Sequence, residues 1–269
     1  MDMRFEGKIC VVTAGAQRIG KSIVEGFLKE GANVAFIDID EEAGRRLYET
    51  APESLMFYHG DVGEQETLEK FAAAVIERWG RVDCLVNNAG VGASGLVTGC
   101  SYEDFMRIQR INLAAPYYLT LRFRDYLPAG SAVVNIASIR AYQTTPDTEA
   151  YAASKGGVIS LTRGMALSLR GKARVNCVTP AWVRGSDEGT PENPLYGTTT
   201  MPDHLQYPVG HVGYPREIAG TVLFLCSEDA GFIDGQNIIC DGGMTLQFIQ
   251  HEDYGWTFDP SKMVRGPHG

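Results

Sequence analysis

The chain has 269 residues, 44% of them hydrophobic and 21% charged, with a formal net charge of −9. Such a length buries a full α/β core, and such a composition excludes a disordered or fibrous chain. The acidic balance excludes the clustered Lys and Arg of a nucleic-acid footprint, and no apolar run approaches the roughly 18 residues of a membrane span.

The charged segment Met1–Lys8 leads into the apolar run Ile9–Thr13, which is too short and wrongly flanked for a signal peptide. It reads as a first strand. Asn33–Asp38, Leu55–Tyr58, Asp83–Asn87, Ala132–Ile136 and Ala173–Val178 are further apolar runs of buried-strand length. Between them lie segments of helical period: Lys21–Glu30, Glu41–Tyr48, Gln65–Trp79, Tyr102–Tyr126 and a segment from Tyr151 to Leu169. The alternation predicts βαβ units, hence an α/β fold with a doubly wound parallel seven-stranded sheet and helices on both faces, a Rossmann fold.

Residues 1–247 contain no Pro/Gly/Ser linker before about residue 180 and read as one domain. Residues 180–215 are rich in Gly, Pro, Thr and acid without periodicity, the character of a substrate lid. A helix at Pro215–Ser227 and a strand at Gln236–Cys240 follow. The tail 248–269 carries Phe248, Tyr254, Trp256 and Phe258 and is expected to dock at a subunit interface. Cys10, Cys84, Cys100, Cys177, Cys226 and Cys240 are scattered, with neither a CxxC pair nor zinc spacing. Reduced thiols, a cytoplasmic address and no metal are expected.

After the first strand, Thr13-Ala14-Gly15-Ala16-Gln17-Arg18-Ile19-Gly20 opens a helix. A small-residue turn between strand and helix lets backbone N–H groups approach a pyrophosphate. With glycine only at Gly15 and Gly20, this motif alone is weak. Asp38 ends the second strand, placed either to accept both ribose hydroxyls of an adenosine or to cap the following helix. The ribose reading implies NAD over NADP, because a 2′-phosphate there is repelled. Arg18 cuts the other way, since a guanidinium in the turn can pair with that phosphate.

Tyr151 and Lys155 stand four apart and therefore share one helix face. An adjacent ammonium favours a phenolate, so this pair predicts a tyrosine that exchanges a proton near neutral pH. Ser138, just after the fifth strand, offers a hydroxyl to the same substrate oxygen. Asn112 interrupts the apolar Ile111–Leu113, and Asn is a poor mid-helix residue that asks for a reason.

With these residues the sequence resembles the short-chain dehydrogenase/reductase family. The further motifs are Asp61-Val62, Asn87-Asn88-Ala89-Gly90, Pro180 and Asp241-Gly242-Gly243, in order and at the family's spacings over about residues 5–247. The resemblance implies that Tyr151 is the general acid/base, that Lys155 holds the nicotinamide ribose and lowers the Tyr151 pKa, and that Ser138 orients the carbonyl. It implies that Asn112 fixes a water in a proton relay. For the cofactor it implies Gly15, Gln17, Arg18, Ile19 and Gly20 in the turn, then Asp38, Ile39, Asp61 and Val62 around adenosine. Asn87, Asn88, Ala89, Gly90, Tyr151, Lys155, Pro180 and Val183 complete that set. Arg140, Gln143 and Trp182, with the loops after Gly90 and Ser138 and lid residues Tyr196 and His204, are candidates for the substrate pocket. A homo-oligomer, tetramer or dimer, is also implied.

The chain departs from the family pattern in three places. Ala14 and Arg18 replace glycines of the turn, Ala181 replaces the glycine after Pro180, and Gly185 replaces a threonine whose hydroxyl is worth about 0.5–1.5 kcal/mol to a cofactor. The expected activity is hydride transfer between NAD(H) and a secondary alcohol or ketone. The alternatives are an NADPH-dependent carbonyl or pteridine-type reductase and a non-catalytic dinucleotide sensor.

Overall fold

Both faces of the sheet are covered, which is why its strands are apolar at nearly every position. The computed structural model describes residues 3–92, 95–185 and 199–247. The seven strands are β1 (Ile9–Thr13), β2 (Asn33–Asp38), β3 (Leu55–His59), β4 (Cys84–Asn87), β5 (Ser131–Ile136), β6 (Ala173–Pro180) and β7 (Asn237–Cys240). They pair in parallel in the order β3-β2-β1-β4-β5-β6-β7, the expected Rossmann arrangement. The order reverses between β1 and β4, the crevice where open α/β sheets bind ligands.

Alternate strand residues feed two cores. Cys10, Val12, Val86 and Val134 meet α1 (Arg18–Lys29), α2 (Glu41–Tyr48) and α8 (Pro215–Cys226) through Ile23, Phe27, Leu47 and Val222. Val11, Leu85 and Val133 face the other way, onto α3 (Gln65–Trp79) and α6 (Glu149–Ser168) through Phe71, Val75 and Met165. All six cysteines are free thiols, four of them buried. Among the described residues, no helix is long and apolar enough to cross a membrane.

The segment expected as one helix, Tyr102–Tyr126, is composite. It runs as α4 (Tyr102–Gln109), a π-helical turn at Arg110–Ala114, α5 (Ala115–Phe123) and a final 3₁₀ turn. The π turn closes through Ala115 N–H to the Arg110 carbonyl, and Asn112 sits in its middle. The described residues on either side of 186–198 hold more regular structure than expected. β6 extends to Pro180, Val183 bridges to Gly213, and α7 covers Met201–Leu205. Residues 186–198 of the expected lid, including Tyr196, and the tail 248–269 lie outside the described residues.

Polar pins gather at the amino ends of the strands. Asp83, expected in β4, stands just before it and accepts from Ile9 N–H at 2.9 Å. Asp234 accepts from Val175 N–H at 2.8 Å, and Asn176 bonds both Gln236 N–H and the Ile233 carbonyl, at 3.0 and 2.7 Å.

Candidate active site

The βα turn after β1 is compressed against its neighbours. A Cβ on Gly20 would lie 1.9 Å from the Ala14 carbonyl oxygen, and one on Gly15 would lie 2.6 Å from Phe36 Cβ. No side chain fits at either point. Ala14 and Arg18 adopt φ of 51° and 50°, the left-handed region that the family's glycines occupy without strain. The turn holds that shape because Asn88 Nδ2 grips the Thr13 and Ala14 carbonyls at 3.0 and 3.1 Å, while Thr13 Oγ1 accepts from the N–H groups of Asn88 and Ala89.

Asp38 is buried and does not cap α2. Its two oxygens accept from Ala16 N–H at 2.9 Å and Asp40 N–H at 3.0 Å, tying the turn to β2. The cap is Asp40, which accepts from Ala43 N–H and also from Gln17 Nε2 at 2.6 Å. Asp38 also lines a cleft of about 170 Å³ with Ile39, Asp61, Val62, Ala89 and Gly90. Arg107 pairs with Asp61 there at 3.2 Å.

Gly90 is shared with a second cavity of about 320 Å³ that holds Ser138, Tyr151 and Lys155. Arg18, Ile19, Asn88, Pro180, Trp182 and Val183 form its other walls. Most residues expected at the cofactor therefore converge on two joined cavities at the carboxyl ends of the strands. Four do not line them: Gly15, Gln17, Gly20 and Asn87. Gly15 packs beneath the turn, and Gln17 faces a separate cleft of about 610 Å³ with Lys21 and Arg46. Asn87 is buried and donates to Asn135 Oδ1 at 2.8 Å; the next residue, Asn88, is the one that reaches the cavity.

Of the substrate candidates, Trp182 lines the cavity. Arg140 and Gln143 are not among its walls, although the charge of Arg140 acts on Tyr151, and Gln143 is exposed. His204 is buried for packing, its Nδ1 accepting from Val212 N–H at 3.0 Å.

The electrostatics correct one expectation. Burial pushes the Tyr151 phenol up, against a hydrogen bond from Ser138 and the charge of Arg140. The Lys155 ammonium, 5.7 Å from the ring centroid, is itself buried and pushed down to about 8. It donates to the Ile136 carbonyl at 2.7 Å, with two donors remaining toward the cavity. In this geometry Ser138 and Arg140, rather than Lys155, oppose the effect of burial on the phenol.

Asn112 uses its side chain to hold neighbouring protein groups. Its Nδ2 donates to the Val91 carbonyl and to Ser154 Oγ, both at 2.9 Å, and its Oδ1 accepts from Val91 N–H at 2.8 Å. The side chain thus anchors the chain after β4 and ties it to α6 through Ser154.

The Lys155 shift makes a pH prediction. With a folded value of about 8 against an ordinary 10.5, burying the ammonium costs on the order of 3 kcal/mol below pH 8. The cost fades as pH rises toward 10.5, so this group makes the fold more stable with rising pH. Lys155→Met is expected to be more stable than the parent near pH 7, with the gap closing toward pH 10. Thermal melts of both proteins across that range check it; a constant gap refutes it.

A family model described as enoyl-(acyl carrier protein) reductase matches residues 14–245. An uncharacterized oxidoreductase of Thermotoga maritima is 38% identical over 92% of this chain and all of its own length. The meso-2,3-butanediol dehydrogenase of Serratia marcescens is 33% identical, covering 90% of this chain and 96% of that one. A solved apo SCOR enzyme from Clostridium thermocellum superposes with a TM-score of 0.84 at 40% identity, over 94% of this chain and 98% of that one. The chain belongs to the short-chain dehydrogenase/reductase family of oxidoreductases, which use nicotinamide dinucleotides.

Proposed function

We propose that the protein interconverts a secondary alcohol and a ketone with NAD(H), using Tyr151 to move the proton. The observation that carries this is the placement of Ser138, Tyr151 and Lys155 in one cavity that shares Gly90 with the Asp38 cleft. The glycine-tight turn, the αL residues beside it and the two joined cavities fit a dinucleotide laid across the strand ends. Arg18, Ile19 and Asn88 would hold its phosphates, Asp38, Ile39 and Val62 its adenosine, and Lys155 its second ribose. When bound, that cofactor supplies or accepts the hydride.

The chain's own work is proton management and orientation. Ser138 Oγ accepts from Arg140 N–H at 3.2 Å, and its own hydrogen, shared with Tyr151, can turn to donate to a substrate oxygen. The phenol of Tyr151, kept protonated by burial, gives its proton to the same oxygen in reduction and takes one back in oxidation. Lys155 places its remaining donors on the cavity side of Gly90, where a Cβ would meet Nζ at 3.1 Å. Trp182 makes one wall of the substrate space.

NAD is favoured because Asp38 and Asp40 stand together at the ribose end and repel a 2′-phosphate. The second reading, an NADPH-dependent reductase, rests on Arg18, which borders the catalytic cavity and the neighbouring cleft with Lys21 and Arg46. Oxidation of an alcohol panel with NAD⁺ and with NADP⁺, read at the nicotinamide absorbance, tests both. NADH is expected to bind more tightly than NADPH; the reverse order overturns the Asp38 reading, and no turnover on any alcohol or ketone overturns the activity.

A further inference from the structure

We infer that Asp147 is a positioning residue that fixes the loop after β4 above Tyr151 and so sets how tightly the substrate is held; the substrate part of this rests on the Tyr151 reading above. Asp147 lies in the connection before α6 with φ of 71°, a left-handed conformation unusual outside glycine. Its carboxylate gathers the loop. Oδ1 accepts from the N–H groups of Gly95, Val97 and Thr98 at 2.8, 3.0 and 3.0 Å, and Oδ2 accepts from Thr98 Oγ1 at 2.6 Å. Glu149 adds a bond from Leu96 N–H at 3.1 Å.

The two segments also touch with no room to spare. A Cβ on Gly95 would stand 1.9 Å from Glu149 Oε2 and 2.7 Å from the Asp147 carbonyl carbon. At its other end the same loop is gripped by Asn112 through both backbone groups of Val91. Gly92 then passes over Tyr151, a Cβ there lying 3.8 Å from the ring. One anchor hangs from the π turn and the other from the segment leading into the catalytic helix. Both described ends of the loop are therefore tied down, and the place of Gly92 over the Tyr151 ring is set by side chains outside the cavity.

The geometry separates a side-chain anchor from a backbone turn. Asp147→Gly keeps the left-handed backbone at no steric cost but deletes all four side-chain acceptor bonds. Asp147→Asn keeps the three N–H bonds through Oδ1 and donates from Nδ2 to Thr98 Oγ1, whose hydroxyl turns to accept. Asp147→Gly is expected to speed amide exchange at Gly95, Val97 and Thr98 by about 10-fold or more, because their protecting acceptor is gone. Its KM for the alcohol or ketone should rise about 10-fold, with kcat and NADH affinity near the parent's, since the reacting groups stay in place. Asp147→Asn should restore both readouts. Unchanged exchange in Asp147→Gly, or an Asn variant as damaged as the Gly one, overturns the anchor. Faster exchange with an unmoved KM overturns its effect on the substrate. A parent protein that turns over no alcohol or ketone instead fails the Tyr151 reading, and the exchange measurement still decides the anchor.

Discussion

Replacing Tyr151 by Phe is expected to lower kcat by about 10²-fold or more, the usual weight of a general acid/base, while NADH affinity is unchanged. The ring fills the same space, so the cavity and its Lys155 and Ser138 walls keep their shape. What is lost is the hydroxyl, with its proton and its hydrogen bond to Ser138. Ser138 cannot replace it, because its hydroxyl donates a hydrogen bond without giving up the proton at neutral pH. Single-turnover kinetics beside a fluorescence titration of NADH separate the two effects; near-parental turnover removes Tyr151 from the chemistry. Since burial raises the phenol, the alcohol-oxidising direction of the parent should gain rate as pH rises, and the Phe variant should lose that dependence.

Gly20→Ala is the second large effect expected. The new methyl would sit 1.9 Å from a backbone oxygen and 2.7 Å from Asn88 Nδ2. A backbone oxygen cannot rotate away as a flexible side chain does, so the turn must shift. Overpacking of this kind costs about 1–3 kcal/mol of stability. A shift of about 1 Å in a group that positions a reactant costs on the order of 10²-fold in function, so NADH binding should weaken far more than the melting temperature alone suggests. Gly156→Ala is the control: a Cβ there meets nothing within 4 Å, inside α6. It is expected to be neutral or stabilising by about 0.4–1 kcal/mol. Equal NADH affinity in both variants would mean that the turn does not carry the cofactor.

The strands and the Ser138, Tyr151 and Lys155 constellation were legible because their signals are local. Buried strands read as apolar runs, and two residues four apart on a helix share a face. The π turn was hidden because a helical period continues on both sides of it, and only the misplaced Asn112 marked the break. Asp38 was ambiguous because ribose acceptor and helix cap call for the same residue type. The structure resolves the capping half by giving that role to Asp40. Asn87 and Asn88 are indistinguishable in sequence, yet strand alternation sends one into the sheet and the other to the cavity. The direction of the Tyr151 shift was misread for a further reason. Spacing brought an ammonium near the phenol, but spacing does not report burial, which acts on both groups and here dominates. Asp147 left no signal at all, since an acidic residue in a Thr- and Pro-containing loop has the look of solvated surface.

The pins at the amino ends of the strands divide the molecule along its strand axis. Asp83, Asp234 and Asn176 close the sheet at the end opposite the two joined cavities. The loops at the carboxyl end are thus free to exchange one substrate for another without renegotiating how the strands are registered. For an engineer the consequence is practical: new specificity can be sought at Trp182 and the loop held by Asp147, and added robustness at the far edge, as two searches that do not interfere.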